Sequence, residues 1–176
     1  MNNISIISPN AFGTSNNVTY WMGRDRFYMY NGTVQTLPCT LRQFIFTNIN
    51  QNQSYQIATG TNEGYNEVWW FYPSANSVEI DSYVSYNYRE NHWNWGQLAR
   101  TTWVDRGPLQ YPMAVGTDGL LYQHEFGFGD NGTPRTNMFL TFESAADAVA
   151  GTAPGDVAHT GAALARGALL GARGNS

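Results

Sequence analysis

The chain has 176 residues, which is enough for one ordinary domain with a hydrophobic core. Charged residues make up only 12% of it, aromatic residues make up 15%, and the formal net charge is −4 at pH 7. This balance, without any run of basic residues, excludes tight non-specific binding to nucleic acid, which needs Lys or Arg against several phosphates. The composition is typical of surfaces that face another protein, and equally of a β protein rich in Asn turns.

The number of cysteines and the lack of long apolar segments bear on where the protein is made. The single cysteine, Cys39, excludes an internal disulfide and predicts a small buried filler beside an apolar helix. The first residues resemble no signal sequence, and no window of the chain approaches a membrane span. We therefore expect a soluble protein made in a cytoplasm.

The first third of the chain predicts a hairpin. Residues 4–7 form a short apolar run that could be an edge strand. Residues 18–22 and 27–30 are rich in aromatic residues and predict two strands, joined by a turn at 23–26. Asn31-Gly32 is the strongest two-residue hairpin signal in the chain, so a further strand is expected after it.

A short helix is expected next. Thr40 and Gln43 have the capping-box spacing, and apolar residues at positions 41, 44 and 45 follow the helical repeat. The pattern predicts a helix of two turns that ends before Asn48. Polar residues 48–53 then predict a loop, and residues 55–59 predict the next strand.

The stretch from 67 to 106 is the most aromatic part of the chain. Four runs in it predict strands at 68–72, 83–88, 92–95 and 102–104, and both Trp rings of the third run should share one face. Four short strands with tight turns have the size of one propeller blade, and a plain antiparallel meander has the same pattern.

The last third of the chain changes character. A hairpin is predicted from 112–115 and 120–124, a loop at 126–136, and a last strand at 137–142. Residues 144–176 contain no aromatic residue and are mostly Ala, Gly and small polar types. They predict either a flexible tail or translation out of the original reading frame.

A weak internal repeat precedes three of the predicted strands. Each copy combines a glycine with an Asp or Asn two residues later, and the intervals bracket the roughly 40–50 residues of common propeller blades. Glycine would supply backbone freedom, and the Asp or Asn would bond nearby backbone groups. The predicted structural turns are Gly23, Asp25, Gly60, Asn62, Gly116 and Asp118.

Together these patterns predict an all-β fold with one short helix, built from antiparallel four-stranded blades of a partial β-propeller. Residues 1–143 would form two to three blades, and residues 144–176 a low-complexity tail.

No combination of residues predicts catalysis, a metal site or a cofactor site. His124 and Glu125 are adjacent in a predicted strand, so their side chains should point to opposite faces. The three His and one Cys show no metal-ligand spacing. We therefore expect a protein that is not an enzyme.

Carbohydrate recognition is the main alternative. Trp rings can stack on sugar faces, and paired carboxylates can cleave glycosidic bonds. The candidate carboxylates are Glu79, Asp81, Asp105 and Asp118. Their neighbours favour structural roles: Asp118 belongs to a predicted turn, and Asp105 should pair with Arg106.

Four arginines lie near Trp21 or Trp103 in the sequence. Arg stacks on indole rings and is enriched at protein interfaces, so these residues are candidates for contacts with neighbouring subunits, and ordinary surface salt links are the alternative. They are Arg24, Arg26, Arg100 and Arg106.

Three segments between residues 21 and 125 resemble a family of bacteriophage virion proteins. They read WMGRDRFYMYNGTVQTLPCTLRQFIFTNIN, GTNEGYNEVWWFYPSANSVEIDSYVSYNY and LARTTWVDRGPLQYPMAVGTDGLLYQHE. The family is that of the tail-hub or nozzle proteins of short-tailed phages, also called packaged-DNA stabilisation proteins. The resemblance implies a β-propeller, ring assembly below the portal, and no catalytic residues.

Members of this family are several times longer than this chain, so we expect it to supply only two or three blades. The expected function is that of a structural component of a phage tail, in the head–tail connector or nozzle ring. Its partners would be other tail and portal proteins and, in the intact protein, copies of itself. Packaged DNA would pass nearby, through an acidic and weakly adhesive channel.

Overall fold

A computed structural model describes residues 4–127, 129–130 and 133–134. The chain divides into two compact units, Met1–Phe126 and Gly127–Ser176. In the second unit, the described residues form a two-stranded sheet of Gly129–Asp130 and Thr133–Pro134, within the stretch predicted as a loop. The predicted strand at 137–142, the predicted boundary after 143 and the tail lie outside the described residues.

The first sheet contains four antiparallel strands in sequence order, β1 (Phe12–Ser15), β2 (Val18–Met22), β3 (Phe27–Tyr30) and β4 (Val34–Leu37). The hairpin signal is confirmed, since Gly32 takes a positive φ of 108° between β3 and β4. β1 was not predicted. Asn16 and Asn17, both at positive φ, turn the chain tightly from β1 into β2.

Residues 4–7, for which an edge strand was one possibility, form no strand. The backbone N–H of Ile7 donates to the carbonyl of Met22 at 3.0 Å, but the segment forms no ladder with its neighbours.

The predicted helix is confirmed as α1 (Arg42–Thr47), which ends before Asn48. The predicted capping box does not form, because the N-cap position is Leu41 and no side chain caps the helix. The predicted loop after it contains a 3₁₀ helix, Gln51–Gln56, whose N-cap Asn50 accepts from the backbone N–H of Asn52. The next strand therefore begins at Ala58, later than predicted.

The second sheet is again a meander of four strands, β5 (Ala58–Asn62), β6 (Glu67–Tyr72), β7 (Ser82–Asn87) and β8 (His92–Gln97). Every residue of β6 and β7 is buried, because layers cover both faces of this sheet. The predicted fourth strand at 102–104 does not belong here. The fourth member of this sheet is β5, which pairs with β6.

The third sheet holds three strands, β9 (Arg100–Val104), β10 (Met113–Gly116) and β11 (Leu121–Gln123), with β10 in the middle. The predicted hairpin of β10 and β11 is confirmed. The first strands of the three sheets are neighbours, since β5 contacts both β1 and β9. The all-β prediction is thereby confirmed, and the propeller stays a prediction.

Aromatic layers fill the two spaces between the sheets. Between the first and second sheets, Trp70 lies 4.9 Å from the Phe27 ring and 6.0 Å from Trp93, between ring centroids. Between the second and third sheets, Trp103 packs on Trp69 and Phe71. The sheets are therefore held together by buried apolar area.

Cys39, predicted as a small buried filler, packs against the first of these layers and is half-buried. Burial raises the pKa of its thiol to about 11. The thiol is therefore protonated at neutral pH and a poor nucleophile.

Candidate functional site

The junction between the second and third sheets brings aromatic and titratable side chains together. Trp103 of β9 lies at its centre. Its ring centroid is 5.8 Å from that of Trp69 and 4.6 Å from that of His124, and its indole N–H donates to the carbonyl of Thr61 at 2.7 Å. The indole thus joins the two sheets by both stacking and a hydrogen bond.

Gly60 lies inside β5 against this indole, which corrects its prediction as a turn residue. A Cβ atom at position 60 would lie 2.4 Å from Cγ of Trp103, closer than any real contact. The glycine is required for close approach between sheets, not for backbone freedom.

We expect Gly60→Ala to lower the free energy of unfolding by about 1–3 kcal/mol, because Trp103 must shift or β5 must move. Gly64→Ala is the matched control, since its Cβ would meet only the flexible end of Arg106, at 3.2 Å. Chemical denaturation of both variants measures the difference. Equal losses for the two would contradict the role assigned to Gly60.

Two carboxyl groups meet at one end of the junction. Glu67 is buried, and Oε2 accepts from the indole N–H of Trp69 at 2.9 Å. Asn62 lies opposite Glu67 in the β5–β6 pair and donates from Nδ2 to Oε1 of Glu125 at 3.0 Å. Asn62 therefore ends a strand and bonds a side chain distant in sequence, although a local bond to the backbone was predicted.

The carboxyl of Glu67 has a strongly raised pKa. Burial raises the pKa of its carboxyl to about 7, and the charges of Glu125 and Glu90 act in the same direction, while the bond from Trp69 opposes them. A carboxyl with such a pKa exchanges protons near neutral pH.

His124 and Glu125 were predicted to be adjacent residues of one strand, with side chains on opposite faces. Both lie beyond the end of β11, however, so the predicted strand stops short of them. Nε2 of His124 accepts from Nε of Arg100 at 2.9 Å, whereas Glu125 bonds Asn62.

Arg100 was predicted as an interface residue, but the structure places it inside the junction. It is only 8% exposed, and its guanidinium lies 4.0 Å from the centroid of the Tyr122 ring. The predicted stacking of an arginine on an aromatic ring therefore occurs here within the chain, on Tyr122 and not on an indole.

Arg24 and Arg106 are exposed, and their predicted interface role stays a prediction. Arg26 forms an ion pair with Asp25 at 2.6 Å, and this pairing lowers the pKa of the Asp25 carboxyl. Arg42 also contacts Asp25, at 3.4 Å. The Asp25 carboxylate therefore pairs with two arginines, whereas hydrogen bonds to nearby backbone groups were predicted.

The two remaining glycines of the predicted repeat do lie at turns, after β2 and at the end of β10. Neither Gly23 nor Gly116 has a positive φ. A Cβ would meet Cε2 of Tyr28 at 2.6 Å in the first case and Oδ1 of Asp118 at 2.5 Å in the second. Both positions require glycine because neighbouring atoms leave no room for a Cβ atom. The prediction that glycine supplies backbone freedom there was wrong.

The carboxylates considered for glycan chemistry stabilise turns or lie exposed. Asp81 accepts from the N–H and the hydroxyl of Ser74, at 2.8 and 2.6 Å. Asp105 accepts from the backbone N–H groups of Glu63 and Arg106, at 2.8 and 2.6 Å, in place of the predicted ion pair. As predicted for a turn, Asp118 accepts from the N–H of Leu120 and also from the hydroxyl of Tyr122.

A separate aromatic pair lies at the surface. Trp95 of β8 is 47% exposed and Phe44 of α1 is 41% exposed, with their ring centroids 4.6 Å apart. Trp93 shares the face of Trp95, as predicted, and its indole N–H donates to the carbonyl of Pro38 at 2.9 Å. One ring of the strand is therefore anchored in the core region, and the other is about half exposed.

Among the described residues, no group of three or more His, Cys, Asp or Glu side chains could hold a metal ion. In that same part of the chain, no helix has the length and apolar character needed to cross a bilayer.

The fold and the junction define an all-β protein of stacked antiparallel meanders joined by aromatic layers. No model of a known protein family matches the chain, and no curated protein matches it.

Proposed function

We propose that the chain is a structural component of a phage tail, in the connector or nozzle ring, and that it acts by holding neighbouring proteins. The observation that carries this proposal is the arrangement of the sheets. Each is a meander in sequence order, and their first strands β1, β5 and β9 are neighbours. Successive blades of a propeller have this arrangement, and propellers present broad rigid surfaces for assembly.

The contacts of the polar side chains agree with a mechanical role. Of the carboxylates nominated for catalysis, Asp81, Asp105 and Asp118 stabilise turns and Glu79 is exposed, while Glu67 and Glu125 bond side chains of the sheet junction. The bond from Asn62 to Glu125 joins the second sheet to the residues that follow β11, and a contact of this kind suits a part that must keep its shape under load.

Packaged DNA would be retained and conducted without sequence-specific contacts. The chain carries a net charge of −4, so a lumen built from it would repel phosphates and let DNA slide. A uniformly basic lumen in the assembled particle would contradict this part of the proposal.

Purified virions test the assignment. Antibodies against the chain should label tails in electron micrographs, and particles made without the protein should lose packaged DNA on dilution. Labelling absent from virions, with DNA retention unchanged, would contradict the proposal.

Carbohydrate recognition is the second candidate, and the exposed Trp95–Phe44 pair favours it. Exposed aromatic rings can stack on sugar faces. On this alternative, the chain should bind specific sugars on a glycan array and lose that binding in Trp95→Ala, while Trp21→Ala on another sheet should keep it. Cleavage of glycans would be a further step, for which the turn-stabilising carboxylates offer no support.

A further inference from the structure

The stack of three sheets ends in two outward faces, which the strand register identifies. Alternate residues along each strand point to the same side of a sheet, and paired residues on neighbouring strands share that side. On the outer side of the first sheet, these residues are Phe12, Thr14, Thr19, Trp21, Tyr28, Tyr30, Val34 and Thr36. In the third sheet they are Thr102, Val104, Met113, Val115, Leu121 and Gln123. We call these the first-sheet face and the third-sheet face.

Neither face carries a charged residue, and both contain exposed large apolar side chains. On the first-sheet face, Phe12 is 53% exposed and Tyr30 is 48% exposed. On the third-sheet face, Val104 is 54% exposed and Leu121 is 65% exposed. An antiparallel sheet that faces water normally alternates apolar residues inward with polar residues outward, and charges protect it from association. These two faces have the composition of a buried layer instead.

We infer that the two faces bind each other between copies of the chain, head to tail, so that the third-sheet face of one copy packs on the first-sheet face of another. The inference rests on the proposed assembly role and adds to it the identity of the partner and the surfaces in contact. A second copy is the partner because its first sheet would continue the order of the stack. Within one copy each sheet packs on the next in sequence order, and the contact between copies repeats this order.

The number of stacked sheets suggests the number of copies. Leaving aside the two-stranded sheet of Gly129–Asp130 and Thr133–Pro134, two copies supply six stacked sheets, within the roughly four to eight blades of known propellers. A heterologous contact that closes in this way leaves no outward face exposed, whereas an open one produces filaments. The expected assembly is therefore a closed homodimer with two identical head-to-tail junctions.

Analytical ultracentrifugation of the full chain tests the inference. We expect a species of twice the chain mass of 19.6 kDa at micromolar concentration. Leu121→Asp and Tyr30→Asp should each raise the dimer dissociation constant by roughly tenfold or more, because each buries an unpaired charge at both junctions. Val78→Asp is the matched control, at an exposed apolar loop position away from both faces, and should leave the dimer unchanged.

Mixing the two variants tests the head-to-tail arrangement. A Leu121→Asp copy and a Tyr30→Asp copy still share one junction with two native faces, so the mixture should associate more strongly than either variant alone. Circular dichroism checks that each variant is folded, and Val104→Asp with Val34→Asp provides a second pair.

Three outcomes would overturn the inference: a monomeric full chain, a dimer that neither substitution weakens, or a mixture no stronger than its components. Virion labelling separates this result from the proposed function. A labelled tail with a monomeric chain would overturn the face contact alone, and a dimer absent from virions would overturn the phage assignment alone.

Discussion

Replacing Trp70 by alanine is expected to lower the free energy of unfolding by about 3–5 kcal/mol. The side chain is completely buried in the layer between the first and second sheets, where it packs on Phe27 and Trp93. Its indole N–H also donates to the carbonyl of Ala11 at 3.2 Å, so the substitution leaves both a cavity and an acceptor without its donor.

Urea denaturation followed by circular dichroism measures this loss. Tyr55→Ala is the control, because Tyr55 is an exposed aromatic residue and its removal should change stability by less than about 0.5 kcal/mol. A loss below about 1 kcal/mol for Trp70→Ala would show that the two sheets do not depend on this layer.

Glu67→Gln is expected to stabilise the protein at alkaline pH by on the order of 3 kcal/mol and to change little at acid pH. The pKa of Glu67 is raised from 4.5 to about 7, chiefly by burial, with Glu125 and Glu90 adding to the effect. Between these two values the folded state holds a proton that the unfolded state has released. The stabilising effect of this proton is complete below about pH 4.5 and is lost as pH rises through about 7.

The glutamine remains neutral at every pH and keeps an oxygen that can accept from Trp69. Denaturation from pH 5 to pH 9 should therefore show a difference between variant and wild type that grows with pH. Glu79→Gln, at an exposed carboxylate, is the control and should show no such growth. A constant difference across the range would mean that Glu67 stays ionised when buried.

The comparison of sequence and structure separates local from distant information. The Asn31-Gly32 turn, the helix ending before Asn48 and the strands of the aromatic stretch depend on neighbouring residues, and they were predicted. The assignment of residues 102–104 to the second sheet was wrong, because strand patterning does not specify which strand lies alongside.

The junction shows the same limit at the level of the site. Alternation along β6 could have placed Glu67 on the face of Trp69, which was the one available signal. Its neighbour Glu125 is 58 residues away in the sequence and is brought close by packing of the third sheet on the second. The burial of Arg100 was missed for the same reason.

The sequence by itself determined that this is a β protein of short aromatic strands with few charges, because side-chain alternation and turn residues act over a few positions. Only the tertiary structure decided which strands share a sheet, why Gly60 must lack a side chain, and that the carboxyl of Glu67 is shielded from solvent. These properties depend on contacts between residues far apart in the chain, and local patterns do not encode such contacts.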